Sequence, residues 1–132
     1  MKKVVVIGGG FAGSRVALRL EKYFDVTLID TKDYFEYTPA LLRVLVEPKH
    51  LIKIHAKHSK YLRKSNIILG RVGDIDSERV FVGKRKIRYD YLVICSGSYY
   101  HEPIKERDVI LVSRKDHLKR AIIQLKKADS GL

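Results

Sequence analysis

The sequence predicts an α/β fold built on a parallel β-sheet. Two short apolar runs rich in β-branched residues, Lys3–Ile7 and Asp25–Asp30, have the composition of strands that are buried on both faces. A glycine-rich turn and a helical pattern over residues 11–23 separate the two runs. Because consecutive strands joined by a helix lie parallel with a right-handed crossover, these residues predict a βαβ unit.

The turn after the first strand has the G-x-G-x-x-G spacing. Gly8 allows a tight turn, Gly10 lets the backbone approach a pyrophosphate, and Gly13 lets the helix pack closely on the strand. Phe11 and Ala12 begin the helix, whose N–H groups and positive dipole end face the phosphates. The order of strand, glycines and helix therefore predicts a site for the pyrophosphate of a dinucleotide.

Asp30 ends the second strand about 20 residues after the first glycine, where a carboxylate accepts hydrogen bonds from a ribose diol. Thr31 and Lys32 follow directly and are assigned to the same site. A carboxylate here favours a free 2′-hydroxyl over a 2′-phosphate, although the charge of Lys32 leaves NADP open. The glycines and the acid together predict a Rossmann-like dinucleotide-binding domain.

The remaining chain is predicted to contain shorter elements. Thr38 and Pro39 have the pattern of an N-cap and a first helical residue. Gly83 lies in a turn between two strand-like runs, which predicts a hairpin. In chain order the predicted elements are a loop over 31–37, a helix over 39–46, a mostly helical basic segment over 49–64, strands over 66–74, 79–82, 86–88, 91–95 and 109–112, and a final amphipathic helix that contains Leu118, Ala121, Ile122 and Leu125.

Length and charge limit the class of protein. At 132 residues the chain is predicted to be one domain, 1–132, which is too short for two nucleotide-binding domains. The net charge of +12 leaves nucleic acid, an anionic membrane surface and an acidic partner open, but a solvated basic surface is the favoured interpretation. No segment has the length of a transmembrane helix and the apolar start is too short for a signal peptide, so a cytoplasmic location is expected.

The single cysteine and the histidines are assigned structural roles. Cys95 excludes an intrachain disulfide and is expected to be a small buried residue of its strand. His50, His55 and His58 lack the spacing of metal ligands, so they are assigned to a solvated basic face and no metal site is expected. A further group could border either a cofactor or a partner surface: Tyr99, Tyr100 and His101.

Four stretches carry a resemblance to a known family: residues 4–13, 26–30, 35–43 and 89–98. Through them the chain resembles the N-terminal FAD-binding segment of the pyridine nucleotide-disulfide oxidoreductases. It is most similar to the branch that contains type II NADH dehydrogenase, sulfide:quinone reductase and apoptosis-inducing factor. A small antiparallel β element between parallel strands, expected here near residues 79–88, is typical of such FAD-binding proteins.

The resemblance implies where the cofactor lies. In the family, segment 35–42 is close to the flavin, the strand that begins at Val72 contacts adenine through its backbone, and the stretch with Ser96 and Gly97 passes beside the dinucleotide. Ser96 and the residue before it replace the usual Thr and Ala, which is a small-for-small change. Arg43 could reach the pyrophosphate from the predicted helix over 39–46 or be a surface arginine, and the sequence leaves both open.

The enzymes of this family are much longer than this chain. After the final helix they continue into a second glycine-motif domain for NAD(P)H and a C-terminal segment that holds the flavin, and the present sequence has no second motif. The chain is therefore expected to be a fragment, a split subunit or a truncated relative that is not active alone. Its apolar helix over 39–46 is expected to be covered by a second copy or a companion subunit, and association of the full assembly with the periphery of a membrane is left open.

Three functions remain open at this stage. The leading one is binding of FAD through its ADP moiety, as part of an NAD(P)H-dependent, NADH:quinone-like flavoprotein oxidoreductase. The second is a non-catalytic regulatory or sensor domain that binds NAD or ADP. The third is a basic protein that binds a membrane surface or nucleic acid on the same scaffold, although no nucleic-acid-binding motif is recognisable and nucleic acid is not the expected partner. No catalytic residue is assigned.

Overall fold

The computed structural model describes residues 1–98, 112 and 115–129. The strands in these ranges are β1 (Lys3–Ile7), β2 (Asp25–Asp30), β3 (Tyr34–Glu36), β4 (His55–Lys57), β5 (Asn66–Leu69), β6 (Val72–Ile75), β7 (Arg79–Val82), β8 (Arg85–Arg88) and β9 (Tyr91–Ile94). The helices are α1 (Phe11–Leu20), α2 (Leu41–Val46), α3 (Leu51–Ile54), α4 (His58–Tyr61) and α5 (Lys115–Asp129), with 3-10 turns at Thr38–Ala40 and Pro48–His50. The described residues divide into two compact units, one of Met1–Phe35 with Ala56–Ser98 and the other of Glu36–His55 with the described residues after Ser98.

The first unit is built on a four-stranded parallel sheet with the strand order β5-β2-β1-β9. β1 pairs with both β2 and β9, so that Val4 lies opposite Val26 on one side and Tyr91 on the other. β1 is therefore a central strand, and its three valines are at most 2% exposed. Burial on both faces explains the uninterrupted apolar run. The predicted parallel pairing of these strands is confirmed.

Successive side chains of β1 point to two different cores, because side chains alternate along a strand. On one face Val4 and Val6 belong to a cluster that includes Ala17 of α1. On the other face Val5 belongs to a cluster that includes Val80 of β7. Within this unit α1 thus covers one face of the parallel sheet, and the antiparallel strands cover the other.

The antiparallel layer is a three-stranded sheet of order β6-β7-β8. β7 and β8 pair around a turn at Gly83, whose φ of 57° lies in the left-handed region that glycine adopts at little cost. The predicted hairpin is confirmed, although β8 begins at Arg85, one residue earlier than expected. The fold is therefore the predicted Rossmann-like α/β class with a small antiparallel element.

A buried carboxylate fixes the segment that leads into β5. Glu21, which follows α1, is 7% exposed and accepts hydrogen bonds from the backbone N–H groups of Arg63, Lys64 and Ser65, and from the Ser65 hydroxyl at 2.9 Å. Burial alone would raise the pKa of the Glu21 carboxyl, but these hydrogen bonds hold its pKa below the ordinary value. Glu21 is therefore an ionised anchor between the end of α1 and the start of β5.

In the second unit, α2, α3 and α5 contribute to one apolar cluster. Its buried members are Leu41, Val44, Ile54 and Leu118. α2 buries only one side, since Leu42 is 65% exposed and Val46 is 83% exposed. None of the helices in the described ranges has both the length and the apolar character that crossing a membrane requires.

Helix α1 and strand β9 are shorter than the sequence predicts. α1 ends at Leu20 instead of residue 23, because the N–H groups of Tyr23 and Phe24 both turn back to the Leu20 carbonyl. Tyr23 is consequently exposed and does not share the buried helix face. Cys95 lies one residue beyond β9 and is partly buried against the α1 side of the core, as a small packing residue.

The middle of the chain differs more from its prediction. Strands β3 and β4 form a two-stranded sheet, so 31–37 is not all loop and 49–64 is not one helical segment. Strand pairing here overrides a helical periodicity that was uneven. The 39–46 helix begins as a 3-10 turn, in which Thr38 is not the N-cap. The strand over 66–74 is interrupted at Gly70, whose N–H donates to the Asp30 carbonyl. The predicted strand 109–112 lies outside the described residues, apart from Val112.

Candidate dinucleotide-binding site

The turn between β1 and α1 is held at the carboxyl ends of the parallel strands. Gly8 donates its N–H to the Ile29 carbonyl of β2 at 2.8 Å and has a φ of 95°. A Cβ at this position would collide with the Cys95 carbonyl oxygen that follows β9. Gly8 therefore needs to be glycine both for its conformation and for its contacts.

The other two glycines of the motif differ in their surroundings. A Cβ on Gly13 would collide with the Gly8 carbonyl oxygen and would lie 3.2 Å from Cys95 Cβ, so glycine lets α1 pack closely on the turn. A Cβ on Gly10 would meet no atom within 4 Å. Gly10 is the exposed N-cap of α1, so the helix N-terminus faces open space there. This combination of one open and two crowded glycines fits the approach of a pyrophosphate.

The carboxylate of Asp30 lies beside this turn at the end of β2. Its Oδ1 accepts the Thr31 N–H at 2.8 Å, and its Oδ2 lies 3.0 Å from Nε2 of His58. Burial alone would raise the pKa of the Asp30 carboxyl, but the hydrogen bonds from His58 and Thr31 and the charge of Lys32 hold its pKa below the ordinary value of 3.8. Asp30 is therefore an anion at neutral pH, with 11% of its side chain exposed.

The structure overturns the assignment of His55 and His58 to a solvated face. His58 is fully buried, with Nε2 on Asp30 and Nδ1 lying 2.6 Å from the Tyr61 hydroxyl. His55 is 16% exposed and lies 3.0 Å from the buried carboxylate of Glu36. The partners lie 28 and 19 residues away along the chain, so no local pattern could reveal them. A basic run thus contains two histidines that face inward onto acids.

Gly9 is a site residue that the sequence prediction missed. A Cβ at Gly9 would lie 2.5 Å from Asp30 Oδ2 and 2.5 Å from His58 Cε1. Both distances are far below van der Waals contact, so the acid and the imidazole occupy the space next to this glycine. The available signal was a third consecutive glycine, one more than the motif requires.

The remaining predicted site residues, apart from Arg43, belong to the first unit. Val72 is half-buried in β6, an edge strand of the antiparallel sheet, while Ser96 and Gly97 follow β9 and are exposed. The Lys32 ammonium lies 5.2 Å from the ring centre of Tyr34. The other candidates at the helix start are exposed: Phe11 and Ala12.

Arg43 belongs to the second unit and forms an exposed ion pair with Glu47 at 3.3 Å on α2. This pairing favours the surface interpretation of Arg43. The three residues after the last glycine turn lie outside the described residues: Tyr99, Tyr100 and His101. Among the residues that the structure does describe, no group of three or more His, Cys, Asp or Glu is arranged to hold a metal ion.

Comparison with known proteins finds relatives in one family of oxidoreductases. The family described as pyridine nucleotide-disulphide oxidoreductase matches residues 2–128. Apoptosis-inducing factor homolog A of Dictyostelium discoideum is 38% identical over 105 residues, which cover 79% of this chain and 26% of the relative. Sulfide-quinone reductase of Aquifex aeolicus is 36% identical over 104 residues, which cover 73% of this chain and 24% of the relative.

Solved structures give the same answer for the fold. The sulfide:quinone oxidoreductase of Aquifex aeolicus superimposes with a TM-score of 0.84 at 25% identity, covering 98% of this chain and 33% of that one. NDH2 of Plasmodium falciparum superimposes with a TM-score of 0.76 at 24% identity, covering 90% and 27%, and supports the fold alone. The chain spans between 24% and 33% of the length of these relatives. The match over nearly all of its residues shows that the chain belongs to the pyridine nucleotide-disulphide oxidoreductase family.

Proposed function

We propose that this chain binds FAD through its ADP moiety, as the flavin-binding part of an NAD(P)H-dependent oxidoreductase. The observation that carries the proposal is the ionised Asp30 beside a glycine turn that is crowded at Gly8 and Gly13 and open at Gly10. The phosphates would accept hydrogen bonds from the N–H groups at the start of α1, and the ribose diol would donate hydrogen bonds to Asp30. The adenine would lie along the backbone of β6, as the family resemblance implies.

The resemblance of this chain to the N-terminal FAD-binding segment of the family favours FAD over free NAD as the occupant. The relatives include a sulfide-quinone reductase, which is a redox protein by its name. FAD, like NAD, carries a free ribose 2′-hydroxyl on its adenosine, which suits the carboxylate of Asp30 better than the 2′-phosphate of NADP does. When bound, FAD would supply the electron-transfer chemistry, while the residues of this chain hold its ADP end.

Catalysis is proposed to belong to an assembly that supplies the nicotinamide site and the electron acceptor. Leu42 and Val46 expose large apolar side chains on α2, a surface that suits cover by a second copy or a companion subunit. Such an assembly would pass electrons from NADH to a quinone or a similar acceptor. Cytoplasmic placement, with peripheral attachment to a membrane through the assembly, accords with this proposal.

The direct test is binding of FAD to the purified 132-residue chain by titration calorimetry, with chromatography of any nucleotide released by heat. Gly10→Val should weaken binding of FAD and ADP at least about tenfold, because the branched side chain fills the open space in front of the helix N-terminus. Ala128→Val adds similar bulk on the exposed side of α5 and should leave binding unchanged. Absence of binding of FAD, ADP and NAD at millimolar concentration would refute the proposal.

The same experiment decides the second candidate, a regulatory domain that binds NAD or ADP. Its support is that the described contacts would serve the ADP half, which NAD and FAD share. Colourless protein that releases NAD and binds FAD no more tightly than NAD would favour this candidate. Yellow protein that releases FAD favours the first.

A further inference from the structure

His58 lies at the centre of a buried chain of hydrogen bonds behind the candidate ribose site. Its Nε2 lies 3.0 Å from Asp30 Oδ2, and its Nδ1 lies 2.6 Å from the Tyr61 hydroxyl. The imidazole has no exposed surface, so both ring nitrogens depend on these two protein partners. α4, which begins at His58 and ends at Tyr61, brings both side chains to the same place.

The charge of Asp30 and the protonation of Tyr61 limit where the protons of this hydrogen-bond network lie. Asp30 is an anion and can only accept, so Nε2 of His58 carries a proton and donates it to Oδ2. Burial raises the pKa of Tyr61 to about 12, so its hydroxyl stays protonated where it lies against Nδ1. The network therefore fixes a proton on Nε2 of His58, and the Tyr61 hydroxyl orients the imidazole from the other side.

The consequence for Asp30 is a carboxylate with a fixed orientation. Thr31 N–H occupies one acceptor position on Oδ1, and His58 occupies one on Oδ2. Since an ionised carboxylate has about four acceptor positions, each oxygen keeps one more. Two acceptors on neighbouring oxygens match the two hydroxyls of a ribose diol. Gly9 belongs to the same device, because any side chain there would displace either the carboxylate or the imidazole.

We propose that His58, oriented by Tyr61, is a positioning residue that fixes the Asp30 carboxylate for the ribose diol of the bound dinucleotide. This inference rests on the proposed function, since it concerns recognition at the same site. A carboxylate fixed in this way makes the chain selective for ribonucleotides over their deoxy analogues. A histidine with a purely structural role would instead affect both ligands equally.

The test compares the affinity for ADP with that for 2′,3′-dideoxy-ADP, which lacks the diol, by calorimetry on the 132-residue chain. The wild-type chain should prefer ADP by about tenfold or more, the equivalent of one charge-assisted hydrogen bond. His58→Phe should lose most of that preference, mainly through weaker ADP binding. His58→Gln, which keeps an N–H near the position of Nε2, should restore part of it, and Tyr61→Phe should give an intermediate preference. The matched control is His50→Phe, at a half-buried histidine of the second unit, which should keep the wild-type preference.

The outcomes separate the two proposals. A wild-type chain that binds neither FAD nor ADP removes the proposed function, and the role of His58 with it. A wild-type preference for ADP that survives in His58→Phe leaves the proposed function standing and overturns the role of His58. If the histidine variants do not fold, ¹⁵N NMR of the wild-type imidazole decides. The Nε2–H signal should shift with saturating ADP and much less with the dideoxy analogue, and equal responses would overturn the inference.

Discussion

Alanine at Gly9 should destabilise the fold far more than alanine at Gly10, although the two glycines are neighbours. A methyl group on Gly9 would lie 2.5 Å from both Asp30 Oδ2 and His58 Cε1, and 2.6 Å from His58 Nε2. The same methyl group on Gly10 would meet nothing within 4 Å. The first change should therefore destabilise the fold, and the second should leave the fold nearly intact.

The loss of stability in Gly9→Ala can be worked out from the side chains that must move. Carbon contacts are favourable near 3.5–4.0 Å, so the carboxylate and the imidazole must shift by about 1 Å in a buried place. Overpacking of this kind costs about 1–3 kcal/mol, and weakening the charge-assisted hydrogen bond between Asp30 and His58 adds to it, for a total of about 2–4 kcal/mol. At Gly10 the gain in unfolded-state entropy and the poorer N-cap nearly cancel, so the change should stay within about 1 kcal/mol.

Urea and thermal unfolding followed by circular dichroism would measure both variants against the wild type. Gly9→Ala should lower the melting temperature by roughly 6–24 °C, at about 3–6 °C per kcal/mol for a domain of this size. Gly10→Ala should shift it by at most a few degrees. Equal stabilities for the two variants, or a larger loss for Gly10→Ala, would refute the packing argument around Asp30 and His58.

The other predictions concern the buried carboxylate of Glu21, the carboxylate of Asp30 and the exposed apolar side of α2. Glu21→Gln should cost about 1–3 kcal/mol in urea unfolding at pH 7, because the neutral amide accepts poorly from three backbone N–H groups. Since the folded-state pKa of Glu21 is lowered, its stabilisation is complete above pH 4.5 and is lost as the pH falls further, so the wild-type and Glu21→Gln stability curves should converge in acid. Asp30→Ala should weaken ADP binding by about 1.5–3 kcal/mol per lost hydrogen bond in calorimetry. The pair Leu42→Lys and Val46→Lys should convert an associated chain to a monomer in light scattering, and an unchanged mass would exclude this face from the contact.

The parts of the fold that the sequence predicts correctly have short-range signals. β1 and β2 are uninterrupted apolar runs, and the turn between β1 and α1 contains glycines at a fixed spacing. The hairpin of β7 and β8 has its turn glycine at the expected place. Each of these features depends on residues within one element and its turn. Burial of a strand on both faces, or a left-handed φ in a turn, can therefore be predicted from the local composition.

The errors have a common physical origin in pairing between distant residues. β3 and β4 pair with each other from opposite sides of the segment that contains α2 and α3, and this pairing breaks the helical pattern over 49–64. The residues around His58 have the composition of a basic surface, with lysines on both sides of it along the chain. Its carboxylate partner Asp30 becomes a neighbour only when α4 packs against the end of β2. No periodicity within α4 encodes that contact.

The histidine also changes how the acid at the end of β2 should be understood. A solvated aspartate at this position would sample several rotamers and would have to be ordered by its ligand, at a cost in affinity. Here groups of the protein itself hold Asp30, with Thr31 on one oxygen and His58 on the other. The contacts argued for the ribose and for the pyrophosphate all come from the first unit, whereas segment 35–42, which the resemblance associates with the flavin, falls almost wholly in the second. The ratio of the affinities for ADP and FAD therefore measures how much of the flavin site this chain contributes beyond its preorganised ADP site.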